Sequence, residues 1–345
     1  MNDTLRVFLK EKLTLVFMIL FLGFTITFIL VRLPAIVDEV SLFDLFANSG
    51  IRCSECYYEW LQTLADEFGI VENPNFFNWI EMYWLYWVNA LKWNYGKSYL
   101  FLTEVSALII GRLQHTVLLL TSSIFVALIL TVINERKFIG EKKYQVIIKG
   151  AILAAIPIFL FTALILFTFE LFAFDLSGTI TYEIWVDAKN EPLGGLIIAT
   201  DLICHMIIPS IGIGILIFGF GLKNGVRFGV PPPTSDVLVE SYEESVKQSI
   251  SQHHLRKLLN QFISGIKKNI GFIFSTLIIV EVATGWYGLG NLLLRSVTMG
   301  DPPVLQGVLN SFIVIVALLY LVLEFISYAL SSYSSRGLSK NITSK

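Results

Sequence analysis

Ile279-Ile-Val-Glu281-Val-Ala-Thr284-Gly285-Trp286-Tyr287-Gly288-Leu289-Gly290 is followed by Asn291-Leu-Leu-Leu-Arg295 and then by Asp301-Pro302-Pro303-Val-Leu-Gln306-Gly307. An apolar helix runs into a lone carboxylate, Glu281, and breaks at a glycine cluster. A short amphipathic piece follows, and the Asp-Pro-Pro turn opens another long apolar run. Glycine tolerates positive φ and proline fixes φ, so the two breaks force a compact, re-entrant connection between two helices.

The rest of the chain has the same character. Its 345 residues are 55% hydrophobic, 14% aromatic and only 15% charged, with a mean hydropathy of +0.69. Such a composition excludes a disordered chain, argues against a soluble domain and points to a polytopic membrane protein. The net charge of −2 gives no reason to expect nucleic acid as a partner. Three cysteines are too few for a disulfide framework.

Six spans are expected: Leu13–Val31, Leu113–Ile133, Val146–Phe172, Leu196–Phe220, Ile270–Thr284 and Val304–Leu330. All but the fifth approach or exceed the ~20 apolar residues that cross a bilayer, and the fifth has room to begin near Phe262. In lipid the backbone must satisfy itself, so these are helices and the fold class is all-α. The first stretch lacks a small-residue cleavage site and reads as a span rather than a leader. With the N-terminus inside, 18 of the 25 Lys and Arg residues fall on one side, which predicts cytoplasmic termini. The resulting division is residues 1–33 (tail and first span), 34–104 (a large outer segment) and 105–345 (a core of five spans with a cytoplasmic loop at 221–268).

The motifs carry a resemblance. Glu281 to Gly290 resembles the E-T-x-F-x-x-P-G-L-G stretch of the dipeptide/oligopeptide permease family, the membrane subunits of ABC importers, with Tyr287 in place of the proline. Asp301-Pro-Pro-Val-Leu-Gln306-Gly307 resembles that family's D-Y-P-x-x-Q-G at the expected distance downstream. Val105 to Thr116 is similar to its V-x-x-L-I-x-x-R-L-x-x-T, Asp201-Leu-Ile-Cys-His205-Met-Ile-Ile-Pro209 to its D-x-x-x-H-L-x-L-P, and Phe28 to Pro34 to its first-helix exit without the Pro-Gly-Asp-Pro. The resemblance implies a six-helix permease subunit for dipeptides or oligopeptides, working by alternating access. Its implied partners are a second homologous permease, two cytoplasmic ATPases and an outer solute-binding protein, all in a lipid membrane. ATP and Mg belong to the ATPases, and no cofactor, metal or catalytic residue is expected on this chain.

The family couples to its ATPases through Y-x-R-T-A-R-A-K-G-L. The nearest match is Tyr242-Glu243-Glu244-Ser245-Val246-Lys247-Gln248-Ser249-Ile250, which has no equivalent of the glycine. Pathway or gate candidates are Asp201, His205, Glu281, Gly285, Trp286, Tyr287, Gly288, Gly290, Asp301 and Gln306. Asp201 and His205, four apart, share a helical face, and a plain mutual hydrogen bond stands beside the gate reading. Glu324 within the last span reads as an interhelical bonding group rather than an ion path. Arg32 reads as a snorkelling interfacial residue, and Arg112 as an interfacial anchor or a partner contact.

The outer segment is acidic, and Trp79, Tyr83, Trp84 and Trp87 recur at helical spacing, as in an interfacial aromatic belt. Gly96-Lys97-Ser98 imitates the end of a phosphate-binding loop, but Leu91 stands where the loop needs glycine, so nucleotide binding is rejected. Cys53-Ser-Glu-Cys56 is a possible local disulfide. Two other functions stay open: a non-transporting accessory subunit, suggested by the eroded coupling segment, and a membrane thiol-disulfide protein using Cys53 and Cys56.

Overall fold

The computed structural model describes residues 3–37, 42–46, 54–71, 74–134, 143–155, 193–223 and 258–342, together with a few isolated positions between them. The described residues are helical, without a named strand; a lone bridge pairs Lys97 with Glu104. In chain order the helices are α1 (Asp3–Val37), α2 (Leu42–Phe46), α3 (Ser54–Phe68), α4 (Phe76–Leu91), α5 (Val105–Asn134), α6 (Lys143–Ala155), α7 (Gly194–Lys223), α8 (Leu258–Lys268), α9 (Ile270–Ala283), α10 (Leu289–Thr298) and α11 (Pro302–Ile342).

Among the described residues, four segments are long and apolar enough to cross a membrane: Lys10–Pro34, Val105–Asn134, Gly194–Lys223 and Pro302–Leu330. α8 and α9 join them as a broken fifth, bent by 70° at Asn269. Of the expected third span, Val146–Phe172, residues 146–155, within α6, and Phe167 lie among the described residues. The first helix runs beyond Val31 to Val37, through Pro34, and the second begins at Val105 rather than Leu113.

The chain divides into two compact units. The first holds Met1–Thr116 and Tyr287–Leu318; the second holds Val117–Trp286 and Leu319–Lys345. In the first unit α4 lies lengthwise along α1. Phe28 packs on Trp79 and Tyr83, Phe24 on Tyr86 and Trp87, and Phe21 on Trp87, with ring centroids 5.2 to 6.5 Å apart. Residue numbers rise along α4 as they fall along α1, so the helices are antiparallel. The aromatic stripe is therefore mostly packing surface against α1, and of its members Trp84 stays widely exposed. The Asn75 and Asn78 side chains cap the start of α4 reciprocally. At Gly23 a methyl group would meet Ile313 at 2.7 Å, so α1 and α11 touch closely there.

In the second unit glycine sets the packing. A Cβ on Gly214 of α7 would stand 2.7 Å from Val126 of α5, where the Ser122 and Ser210 hydroxyls bond at 2.7 Å. A Cβ on Gly219 would stand 2.9 Å from the Ala154 backbone nitrogen, and Gly265 of α8 lies against Gly221. The glycine and serine row of α7 thus lets three helices approach it at near-backbone distance, the small-residue packing favoured between helices in lipid.

Candidate functional site

Asp301 is buried at the N-terminal end of α11, in the first unit. One of its carboxylate oxygens accepts hydrogen bonds from the Ser98 hydroxyl (2.7 Å) and from the backbone N–H groups of Tyr99 (3.0 Å) and Leu100 (3.2 Å). Its other oxygen accepts from the Val304 N–H at 3.3 Å and so caps the helix. Pro302 and Pro303 occupy the first helical positions, where a missing N–H costs nothing. The turn after Gly96 does gather N–H donors around an anion, but the anion is the protein's own carboxylate. The Ser98 hydroxyl in turn accepts from the Phe101 N–H at 3.0 Å.

One turn further along α11, Gln306 Oε1 accepts from the Arg32 guanidinium at 3.0 Å. Arg32 is 2% exposed, with its guanidinium 4.1 Å from the Phe28 ring centre and 5.1 Å from that of Phe46. It does not snorkel: Phe28, Phe46 and Tyr86 enclose it, and Gln306 supplies the acceptor. A buried cation is costly unless it is bonded and surrounded by π faces, which these residues provide. Removing the acceptor by Gln306→Leu is expected to cost about 2 kcal/mol of stability, as for a lost hydrogen bond to a charged group. Arg32→Met combined with Gln306→Leu is expected to recover part of that loss. Thermal unfolding of the four variants in one detergent measures the cycle, and strict additivity would contradict the pairing.

A second polar layer lies one turn beyond. The Tyr86 hydroxyl is 2.9 Å from both the Phe24 carbonyl and Asn310 Oδ1, and Asn310 Nδ2 donates to the Tyr95 hydroxyl at 3.3 Å. Burial pushes the Tyr95 hydroxyl up to about 12, so it stays a neutral bonding group at physiological pH. Gly307 lets this layer close, since a methyl there would meet Ile109 at 2.6 Å and Val105 at 2.9 Å. The glycine cluster is tied down similarly. Gly288 has no side chain to cap α10, and the Thr116 hydroxyl of α5 accepts from the Leu289 N–H at 2.8 Å. Tyr287 is half exposed, with the Arg112 guanidinium 4.0 Å over its ring and His115 edge-on at 5.8 Å. Arg112 itself is buried.

In the second unit Glu281 and Trp286 are fully buried. α9 ends at Ala283 with Thr284 as its C-cap, and the Thr284 hydroxyl donates to the Val280 carbonyl at 2.8 Å. The Thr284 carbonyl accepts from the Gly178 N–H at 2.8 Å. Gly285 turns the chain with φ +67°, a conformation that a side chain would strain. His205 is buried in α7 with its Nε2 3.6 Å from Asp201. Glu324 receives Lys267 at 3.2 Å, an ion pair between α8 and α11.

No family model matches the chain. Individual relatives do. The glutathione transport system permease protein GsiC of Shigella flexneri is 22% identical over 258 residues, covering 72% of this chain and 77% of the relative. Its namesake in Salmonella choleraesuis is 24% identical over 253 residues, with the same shares. That of Pectobacterium atrosepticum is 29% identical over 111 residues, 32% of this chain. The match spans little more than a third (36%) of that last relative's own length. These matches support the likeness to the dipeptide/oligopeptide ABC permease family. With its apolar spans, this permease is a multi-pass protein of the cell membrane.

The ten pathway candidates of the permease fall into separate groups. Asp301 and Gln306 join one polar column with Arg32, Ser98, Asn310 and Tyr86 in the first unit, where Tyr287, Gly288 and Gly290 also lie. Asp201, His205, Glu281, Gly285 and Trp286 belong to the second unit. The coupling candidates Tyr242 to Ile250 lie outside the described residues, as does Cys53. Ser98 was not a site candidate in the sequence, although it stands in the quoted Gly96-Lys97-Ser98; the signal was there, attached to the wrong anion.

Proposed function

We propose that this permease is a transmembrane subunit of an ATP-driven importer for small peptides, moving its substrate by alternating access. The observation that carries the reading is the folding of both family motifs, Glu281 to Gly290 and Asp301 to Gly307, into bonded and capped turns in a chain that aligns over 72% of its length with glutathione transport permeases. A small peptide is the substrate class that both the motifs and the named relatives favour. The N- and C-termini face the cytoplasm in this reading, in line with the distribution of Lys and Arg.

The chain carries no nucleotide motif, so its energy comes from two partner ATPases, with a second permease beside it and a solute-binding protein outside. Tyr242 to Ile250 docks on an ATPase and passes its closure to the helices. Scrambling that segment is expected to leave the complex assembled in detergent while abolishing uptake of labelled dipeptides or glutathione into energised vesicles. Unchanged uptake would refute the coupling assignment.

The missing glycine of the coupling segment favours a second reading, an accessory permease that assembles without transporting. It predicts no uptake from the unaltered complex with any peptide.

A further inference from the structure

We propose that the ion pair between Lys267 and Glu324 hands the movement of α8 to α11, and so sets how much uptake each ATP hydrolysed supports. The inference rests on the reading of Tyr242 to Ile250 as the segment that docks on an ATPase. α8 begins at Leu258, eight residues further along the chain.

The pair sits where charge is rare. Glu324 is the only Asp, Glu, Lys or Arg in the apolar span Pro302–Leu330. Its side chain is 11% exposed and that of Lys267 19%. Lys267 Nζ lies 3.2 Å from a Glu324 oxygen and donates to the Ser327 hydroxyl at 3.4 Å. The Tyr320 hydroxyl bonds to Glu324 as well. Tyr320, Glu324 and Ser327 follow one another at four and three residues, so they share one face of α11, and Lys267 meets that face. An ion pair withdrawn from water gains little net stability over apolar packing, because desolvation offsets the attraction. What it gains is direction: matched charges hold one register, whereas apolar surfaces slide. An ionisable side chain within a span, with its partner in place, is where function is to be sought.

The shape of α8 makes that direction matter. α8 and α9 meet at a 70° bend at Asn269, whose side-chain amide donates to the Gly265 carbonyl at 2.8 Å. A displacement of α8 therefore does not run on into α9 as it would through a straight helix. It passes sideways, to the helices on which α8 lies. On α7 the contact is Gly265 against Gly221, where a Cβ would stand 3.1 Å from the Gly221 Cα, a surface without side chains to interlock. On α11 the contact is Lys267 with Glu324 and Ser327, and this one grips.

The test uses the full-length chain with its accompanying subunits in vesicles, with ATP hydrolysis and uptake of labelled glutathione or dipeptide measured on the same preparation. Lys267→Met and Glu324→Gln are each expected to leave hydrolysis near the wild-type rate while uptake per ATP falls about tenfold, a size typical of coupling between linked sites. The reversal, Lys267→Glu with Glu324→Lys, is expected to recover most of that fall. Glu324→Asp keeps the charge but shortens its reach, and its ratio is expected to lie in between; it decides the matter where a neutral variant fails to assemble. A wild-type ratio in Glu324→Asp and in the assembled neutral variants would overturn the proposal. Hydrolysis and uptake falling together, or a reversal no better than the single variants, would overturn it too, because the pair would then serve the fold alone. A wild-type complex that binds no ATPase, or that hydrolyses ATP without uptake, would refute the importer reading itself and the inference with it.

Discussion

Replacing Asp301 with alanine is expected to remove about 3–5 kcal/mol of stability, enough to deplete the folded permease. The carboxylate gathers the Ser98 hydroxyl and the Tyr99 and Leu100 N–H groups on one oxygen, and holds the Val304 N–H with the other. Alanine leaves buried donors without an acceptor and uncaps α11, and each loss costs about 1–2 kcal/mol. Asp301→Asn keeps the shape and one acceptor oxygen but turns an N–H₂ toward donors, so about half the loss is expected. Melting in detergent and the yield of monodisperse protein read the effect. A wild-type melting curve for Asp301→Ala would show that the network contributes nothing. Because Asp301 stood among the gate candidates, the same variant also separates roles: a gate residue would lose uptake with stability intact, whereas a fold clamp loses both.

The second large effect is steric. A Cβ on Gly150 of α6 would fall 2.4 Å from the Lys223 backbone nitrogen, 2.6 Å from Leu222 Cβ and 2.8 Å from the Gly219 carbonyl. Two of these three atoms are backbone of α7, which cannot rotate aside. Gly150→Ala must therefore push α6 off α7, at about 3 kcal/mol, the upper range for overpacking. Gly195→Ala, at a glycine of α7 with nothing within 4 Å of its Cβ, is expected to be neutral or slightly stabilising through its better helix propensity. Melting both variants side by side tests whether contact or mere helix propensity governs; equal melting temperatures would contradict the close approach.

Much of this fold was legible because hydrocarbon length is a local property. The runs at Leu13, Leu113, Leu196 and Val304 each announce a span without knowledge of their neighbours. The break after Thr284 was legible for the same reason, since Gly285 carries its positive φ in its own chemistry. Arg32 was not. Its acceptor, Gln306, is 274 residues away, and a sequence shows a cation at the end of an apolar run without showing what meets it. Asp301 and Ser98, 203 residues apart, were each singled out for another role, one as a gate and the other as part of a false phosphate loop. The tryptophan and tyrosine spacing in α4 predicted a helix with an aromatic face. Periodicity tells which residues share a face, but not that the face lies against α1 rather than at the membrane surface.

We propose that this permease draws its energy from ATPases it binds. Affinity purification of the full-length chain from its native membranes in mild detergent tests this most directly, with the co-purifying proteins identified and ATP hydrolysis measured. Two ATPase subunits and a second permease are expected in the purified complex, with hydrolysis that is lost when Tyr242 to Ile250 is scrambled. A chain that purifies alone, with no ATPase bound in the presence or absence of nucleotide, would contradict it.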